Sequence, residues 1–261
     1  MPQHISEVEK ALNQFEPISL KEMDSVQLMN RTDTKYVLNI SELPDILKAV
    51  RENYFALEVK GIKMSRYETL YFDTEDHLLF RLHATERSRR SKVRYRKYVE
   101  SEDIFFEIKM KDNKGRTDKR RIKRADIKNF INEKSASLIS SLVSNYDPKD
   151  LRPQIWNSFQ RMTLVSRKKD ERVTIDVNIS FRNDTSEKAV PDLVIVELKQ
   201  SRYNVNSPIV REMRRHKISS SSISKYIFGT ILLNKKIKSN IFKPKLLIIN
   251  KMLNGTLYQS A

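Results

Sequence analysis

The sequence predicts a single α+β domain in which two groups of strands form two halves of one sheet system. Strand patterns are concentrated at 55–122 and 155–199, and predicted helices at 124–133 and 136–145 separate the two groups. Basic side chains also alternate with apolar ones along several of these strands, most clearly at 92–98. Strands and helices that occur in separate runs are typical of the α+β class.

Apolar spacing and capping residues predict the elements of the first half. A helix is predicted at 4–16 and another at 19–29. A strand at 35–38 precedes a helix at 42–53, for which Ser41 is a candidate N-cap. The segment at 76–87 is a short helix or a loop. The remaining strands of this half are predicted at 55–60, 66–73, 91–99, 103–111 and 117–122.

The second half is predicted to contain three strands, two helices and a basic tail. A polar loop is expected at 183–190, and helices are expected at 208–217 and 224–233. The strands are predicted at 155–167, 171–181 and 192–199. The expected organisation is an N-terminal helical segment at 1–29, a main domain at 30–233 and a basic tail at 234–261.

The alternating pattern sorts side chains onto two faces of each strand. Successive side chains of a strand point to opposite sides, so Lys92, Arg94 and Arg96 share one face and Val93 and Tyr95 share the other. The same alternation recurs in the sets Glu107, Lys109 and Lys111; Arg172, Thr174 and Asp176; and Glu197 and Lys199. Strands of this kind, curled into a barrel, enclose a positively charged interior that could hold a polyanion.

Composition narrows the classes of partner and chemistry. The chain has 50 basic and 33 acidic residues and a formal net charge of +17, which favours phosphate-rich partners without choosing among them. The absence of cysteine excludes disulfides, thiol catalysis and Cys-ligated zinc. Only four glycines are present and no glycine-rich phosphate loop, so any phosphate binding must come from side chains. With no apolar run of about 18–20 residues and no signal peptide, a cytoplasmic protein without a transmembrane segment is expected.

Taken in order, a set of short segments resembles the VTC domain. That domain is the polyphosphate-polymerising module of the vacuolar transporter chaperone complex, within the triphosphate tunnel metalloenzymes. The matching segments are RTDTKYV at 31–37, ETLYFD at 68–73, KVRYRKY at 92–98, FEIK at 106–109, DKRR at 118–121, FQR at 159–161, ERVTID at 171–176, VELK at 196–199 and SKY at 224–226.

The resemblance implies an antiparallel eight-stranded β-tunnel with flanking helices, lined with Arg and Lys. It implies an enzyme that transfers the γ-phosphate of ATP to a growing inorganic polyphosphate chain, assisted by Mn²⁺ or Mg²⁺. Many tunnel enzymes begin with Glu-x-Glu-x-Lys, but here the corresponding strand reads Thr-Asp-Thr-Lys at 32–35. The loss of the glutamate pair fits the VTC branch better than the triphosphatase, thiamine-triphosphatase or adenylyl-cyclase branches.

The alternation and the resemblance together give candidate site residues. Of the three basic residues at 119–121, the sequence does not decide which point inward, and the family match favours the first and third. Glu197 is the first choice for a metal ligand, and Glu107 and Asp176 are weaker candidates. Lys92 and Lys111 are expected to be exposed. The expected catalytic cations are Lys35, Arg94, Arg96, Lys109, Arg161 and Arg172, and the expected phosphate-binding residues are Lys119, Arg121, Lys199 and Lys225.

Two other functions remain open at this level. The same site could hydrolyse inorganic triphosphate or polyphosphate, or the protein could be a non-enzymatic polyanion-binding module. Specific nucleic-acid binding is not expected, because it uses exposed basic and aromatic faces, whereas the basic face here alternates with an apolar packing face. The basic tail is a candidate contact surface for a protein partner.

Overall fold

The computed structural model describes residues 3–24, 32–87, 89–112, 117–168 and 170–258. Arg31, the first residue of the segment at 31–37, and the second half of the helix expected at 19–29 lie outside these ranges. In the described ranges, no helix is long and apolar enough to cross a bilayer.

Strands dominate the described part of the chain, and helices flank them. The strands are β1 Pro17–Ile18, β2 Thr32–Asn39, β3 Tyr54–Leu57, β4 Met64–Asp73, β5 Arg90–Tyr98, β6 Asp103–Lys111, β7 Thr117–Arg124, β8 Arg152–Ser166, β9 Glu171–Arg182, β10 Glu187–Val190 and β11 Leu193–Gln200. The helices are α1 Gln3–Asn13, α2 Leu20–Asp24, α3 Leu43–Val50, α4 Leu78–Ala84, α5 Glu133–Ser140, α6 Pro208–Arg215, α7 Lys225–Leu233 and α8 Lys243–Met252.

Eight of the strands form one continuous antiparallel path. Their order is β2-β11-β9-β8-β4-β5-β6-β7, and three short strands, β1, β3 and β10, lie off this path. Within the described residues the end strands β2 and β7 do not pair with each other, so the sheet is open. The predicted α+β class and eight-stranded antiparallel sheet are confirmed, with three additional short strands.

The sheet curls strongly enough for distant strands to face each other. Lys35 on β2 donates to the carbonyl of Ile223 at 3.2 Å, and Lys92 on β5 donates to the hydroxyl of Ser224 at 2.8 Å. Four strands separate β2 from β5 in the sheet, yet the two lysines reach adjacent residues of one segment. The space enclosed by this concave face is called the tunnel below.

The convex face of the sheet is apolar and packs under helices. Leu38, Val173 and Val196 are fully buried in a cluster that also includes Val8 of α1 and Leu43 of α3. A second cluster packs α5 against the outer side chains of β5 and β6. Burying such apolar surface stabilises the fold, and it leaves the alternate, charged positions on the concave side.

Helix α7 lies on the concave side and fixes one part of the tunnel. Tyr226 donates to the carboxylate of Asp73, which also accepts N–H groups from the first turn of α4 at 2.7 and 2.8 Å. A Cβ at Gly229 would overlap the ring of Phe181 on β9, so glycine is needed for this close approach. Because Lys225 is the first residue of α7, this packing sets its position.

The C-terminal segment is folded onto α7 and its surroundings. Leu246, Ile249 and Leu253 are buried in the cluster that contains Tyr226 and Phe228. Their spacing of three and four residues gives α8 one buried face. The basic tail expected from the sequence therefore includes a packed helix.

Two predicted elements are wrong. The helix expected at 124–133 is absent, because β7 continues to Arg124 and α5 begins only at Glu133, where Asn132 accepts the Ser135 N–H as an N-cap. The loop expected at 183–190 contains β10, which extends the sheet by pairing with β9.

Candidate active site

Glu107 joins three neighbouring strands through ion pairs. Arg94 Nε and Nη2 lie 2.8 and 2.7 Å from Glu107 Oε2, and the Lys119 ammonium contacts Oε1. Burial would raise the pKa of this carboxyl, but Arg94, Arg96 and Lys119 outweigh burial and lower the pKa to about 2. Glu107 is therefore ionised and already occupied by two cations.

Asp176 is held in the same way on the opposite part of the sheet. Its oxygens accept from Arg161 Nε and Nη2 at 2.6 and 2.7 Å, and the Lys225 ammonium contacts Oδ2. Burial opposes ionisation, yet Arg161 and Lys225 lower the pKa of Asp176 to about 2. The carboxylate bridges strand β9 to the start of α7.

Two carboxylates share the ammonium of Lys199. Its Nζ lies 2.8 Å from Glu197 Oε2 and 3.3 Å from Asp33 Oδ2, while Lys35 Nζ lies 3.8 Å from the other Glu197 oxygen. Burial would raise the pKa of Glu197, but Lys199 and Lys35 hold it well below its usual range. These residues cluster because Glu197 pairs with Lys35 and Lys199 pairs with Asp33 in the β2–β11 register.

An aromatic pair connects the cations of β5, β8 and α7. Tyr67 and Phe159 stack with ring centroids 5.1 Å apart. The guanidinium of Arg96 lies 5.8 Å from each centroid, that of Arg161 lies 5.1 and 5.2 Å away, and Lys225 Nζ lies 4.6 Å from the Phe159 centroid. This aromatic pair was not predicted from the sequence. The available signal was that Phe159 lies two residues before Arg161, and so on the same face of β8.

A cavity of about 700 Å³ opens beside these residues. Lys35, Lys92 and Lys109 line one wall, and residues of α7 and α8 line another. The expected exposure of Lys92 and Lys111 is wrong, since both are partly buried and border this cavity. Burial, with Lys35 and Lys109 nearby, places the pKa of Lys92 well below its usual range.

Two predicted site residues lie at the margins. Arg172 belongs to the concave side, opposite Lys199 in the β9–β11 register, and donates to the carbonyl of Met23 at 3.0 Å. Arg121 is exposed on the edge strand β7, with its guanidinium 4.5 Å from the centroid of the Phe105 ring. The structure brings the other predicted residues together in and around the tunnel.

The carboxylates differ in their suitability for a divalent cation. In the described residues, no group of three or more His, Cys, Asp or Glu side chains could hold a metal. Glu107 and Asp176 are each held by two cations, whereas Glu197 has a second carboxylate, Asp33, beside the same lysine. Mg²⁺ and Mn²⁺ are bound through one or two carboxylates with retained waters and substrate phosphates, so the Glu197 and Asp33 pair fits such an ion.

Basic side chains outnumber carboxylates in and around the tunnel. Among the described residues, the carboxylates there are Asp33, Glu107, Asp176 and Glu197, and Glu86 also lines the cavity. The basic residues include Lys35, Lys92, Arg94, Arg96, Lys109, Lys119, Arg161, Lys199 and Lys225. The excess positive charge inside a curled sheet favours an anionic ligand that touches several strands.

The comparisons with known proteins give one family and a set of distant structural neighbours. A sequence model of the VTC domain matches residues 30–234, and a search of curated proteins gives no match. A putative adenylate cyclase from Vibrio parahaemolyticus has a TM-score of 0.45 and 10% identity, covering 77% of this chain and 98% of its own. A putative adenylyl cyclase from Hippeastrum, described as having a dominant triphosphatase activity, has a TM-score of 0.47 and 11% identity, covering 78% and 97%. The PH1819 protein of Pyrococcus horikoshii OT3 has a TM-score of 0.42 and 11% identity, covering 77% and 95%. Because the family model matches most of the sequence, the chain belongs to the VTC domain family.

Proposed function

We propose that this protein is an ATP-dependent polyphosphate polymerase that transfers the γ-phosphoryl group of ATP to the end of a polyphosphate chain. The observation that carries the proposal is the excess of basic side chains on the concave face, spread over strands from β2 to β7 and the start of α7. A linear polyanion with about one charge per bridging phosphate matches such a distributed site better than a single small anion.

The basic residues suit successive phosphates. A guanidinium binds phosphate oxygens in pairs, so Arg94, Arg96 and Arg161 would fix the orientation of bound phosphates. Lys92 and Lys109 on the cavity wall would extend the contacts into the cavity. Bound phosphates would take over, in part, the neutralisation that Glu107 and Asp176 now provide.

Phosphoryl transfer requires the protein to position the two phosphates and neutralise their charge, and it requires no covalent intermediate with the protein. An oxygen of the terminal phosphate attacks the γ-phosphorus in line, the bond from that phosphorus to the β,γ-bridging oxygen breaks, and ADP leaves. The attacking phosphate, with a second pKa of about 6, is already anionic at neutral pH. It needs no general base, which agrees with the low pKa values of Glu107 and Asp176, both poor proton acceptors.

Glu197 and Asp33 would hold a Mn²⁺ or Mg²⁺ ion, which neutralises negative charge on phosphate oxygens when bound. Lys35 and Lys199 beside them would contact phosphate oxygens once freed from the carboxylates. The proposed catalytic group is Arg94, Arg96, Arg161 and Lys35, with Lys92 added to the phosphate-binding set.

Hydrolysis of inorganic triphosphate by the same residues is the second candidate. It is favoured by the open edge of the sheet, where the Lys119 side chain on β7 is 38% exposed although its partner Glu107 is buried. Both candidates use the same cations, so only the acceptor of the phosphoryl group separates them.

Incubation of the purified protein with ATP, Mn²⁺ and a short polyphosphate primer separates the candidates. Polymerisation gives long chains on a gel stained for polyphosphate and one ADP for each phosphate added. Orthophosphate without chains would favour the triphosphatase. No turnover with retained polyphosphate binding would contradict both enzymatic candidates and favour a binding module.

A further inference from the structure

The outer face of the C-terminal helix is apolar where a surface helix is ordinarily polar. Helix α8 buries Leu246 and Ile249 against the domain, but Leu247 is 54% exposed and Ile248 is 71% exposed. Ile241, just before the helix, is 64% exposed. Large aliphatic side chains grouped on the solvent side of one helix mark an interaction surface rather than a packing face.

The charged residues of the C-terminal segment that carries these aliphatic side chains have one sign. From 213 to 261 the sequence contains no aspartate or glutamate. Lys251 lies four residues after Leu247 and three after Ile248, so it shares their exposed face of α8. Further exposed lysines precede the helix at Lys235, Lys236 and Lys238, and Lys243 is its first residue.

We propose that this face, formed by Ile241, Leu247 and Ile248 with the surrounding lysines, docks on the surface of an anionic lipid bilayer. A bilayer interface accepts both components at once: aliphatic side chains enter the boundary between headgroups and acyl chains, and lysines contact anionic headgroups. A protein partner fits less well, because protein interfaces are depleted in Lys. A single-stranded nucleic acid fits less well, because its bases stack on aromatic residues rather than on aliphatic ones.

Helix α8 lies between the proposed docking face and the cavity of the tunnel. The inner side of the helix borders the cavity through Leu246 and Ile249, and Lys245 donates to the carbonyl and hydroxyl of Ser222 at 2.5 and 2.6 Å. The same segment continues to Ser224, which accepts from Lys92. A protein docked through the outer side of α8 would therefore hold the cavity close to the membrane surface.

Flotation of the full chain with vesicles tests the proposal without ATP, so its result is independent of the polymerase assignment. Vesicles of phosphatidylcholine with phosphatidylserine should carry the protein, and vesicles of phosphatidylcholine alone should not. The double variant Leu247→Asn/Ile248→Asn should lose most of this flotation. The matched control Leu20→Asn/Ile62→Asn, which changes two exposed aliphatic residues elsewhere, should float like the wild type.

A second pair of variants tests the lysines. The triple variant Lys235→Gln/Lys236→Gln/Lys238→Gln should float less than Lys10→Gln/Lys21→Gln/Lys60→Gln, which removes the same charge from other exposed positions. All of these side chains are exposed, and thermal melts of each variant check that folding is kept. Equal flotation of the wild type and the Leu247→Asn/Ile248→Asn variant would overturn the proposal, because attraction by net charge alone does not need the aliphatic residues. Failure of the wild type to float with anionic vesicles would also overturn it and leave a protein as the occupant of this face.

Discussion

Arg161 and Asp176 form a bidentate ion pair across the neighbouring strands β8 and β9, with nitrogen–oxygen distances of 2.6 and 2.7 Å. Asp176 is buried and also contacts Lys225, so one carboxylate restrains two cations that face the Tyr67–Phe159 aromatic pair. Glu107 does the same for Arg94 and Lys119. Internal carboxylates thus keep the cations positioned in the absence of phosphate.

The Asp176→Asn substitution should destabilise the free protein and increase the stabilisation by a polyanion. It leaves Arg161 and Lys225 buried without their counterion, and breaking a buried pair costs about 3–5 kcal/mol. Urea unfolding with and without tripolyphosphate measures both effects. The control Asp76→Asn breaks the exposed pair with Arg81 and should cost about 0–1 kcal/mol. Equal stability of the two variants would contradict this account of the tunnel.

Arg96→Met should slow polymerisation while leaving the fold intact. Arg96 is buried, donates to the Thr69 hydroxyl at 3.2 Å and is placed to meet a transferring phosphate. Burial and the neighbouring Arg94 lower its pKa, so the neutral methionine removes an unfavourable charge from the free protein. We expect kcat to fall about 10²–10³-fold, the typical cost of one transition-state donor. Arg94→Ala should abolish turnover and lower the stability, because the buried Glu107 loses one of its two ion-pair partners. Full activity of either variant would remove these arginines from the proposed mechanism.

Lys92→Met should weaken tripolyphosphate binding without lowering stability. Burial and the nearby Lys35 and Lys109 disfavour the charged form of Lys92 in the free protein, so its loss costs little. A phosphate contact made by a charged donor is worth about 1.5–3 kcal/mol, and we therefore expect affinity to fall about tenfold or more. Isothermal titration and thermal melts measure the two quantities. Lys97→Met, on the opposite face of the same strand, is the control. Equal tripolyphosphate affinities of Lys92→Met and Lys97→Met would contradict the assignment of Lys92 to phosphate binding.

Polyphosphate binding should take up protons near pH 8. Burial lowers the pKa of Lys119 and Glu107 opposes this effect, giving a pKa of about 8. A bound polyanion stabilises the charged ammonium and raises that pKa, so binding adds protons and the affinity falls as the pH rises above 8. Calorimetry in buffers of different ionisation enthalpy measures the number of protons.

Lys119→Arg should reduce the proton uptake, because arginine stays charged throughout this range. Lys123→Arg, four residues further on the same face of the strand and exposed, should leave the uptake unchanged. Proton release on binding, or the same uptake in Lys119→Arg, would contradict the environment assigned to Lys119.

The local alternation of residue types was sufficient to predict the strands and the face of the sheet on which each side chain lies. The alternation at 92–98 correctly separated Arg94 and Arg96 from Val93 and Tyr95, because a strand has a fixed period of two residues. It did not reveal that Lys92 borders a cavity. That position depends on the curl of the whole sheet and on the return of Ser224, more than a hundred residues later, to the inside of the tunnel.

Features that depend on distant contacts could not be read from the sequence. The stacking of Tyr67 and Phe159 arises from the register of β4 with β8. The pairing of Asp33 with Glu197 around Lys199 arises from the register of β2 with β11. The sequence predicted a basic tail rather than a helix at 243–252, because the buried face of α8 is defined by the distant residues that it covers.

A ³¹P NMR time course with Mg²⁺, ATP and a short polyphosphate primer tests the central claim most directly. The account predicts that the resonance of bridging phosphates grows in step with ADP and that Arg96→Met suppresses both signals. Growth of orthophosphate alone, with no new bridging phosphate, would contradict the polymerase assignment.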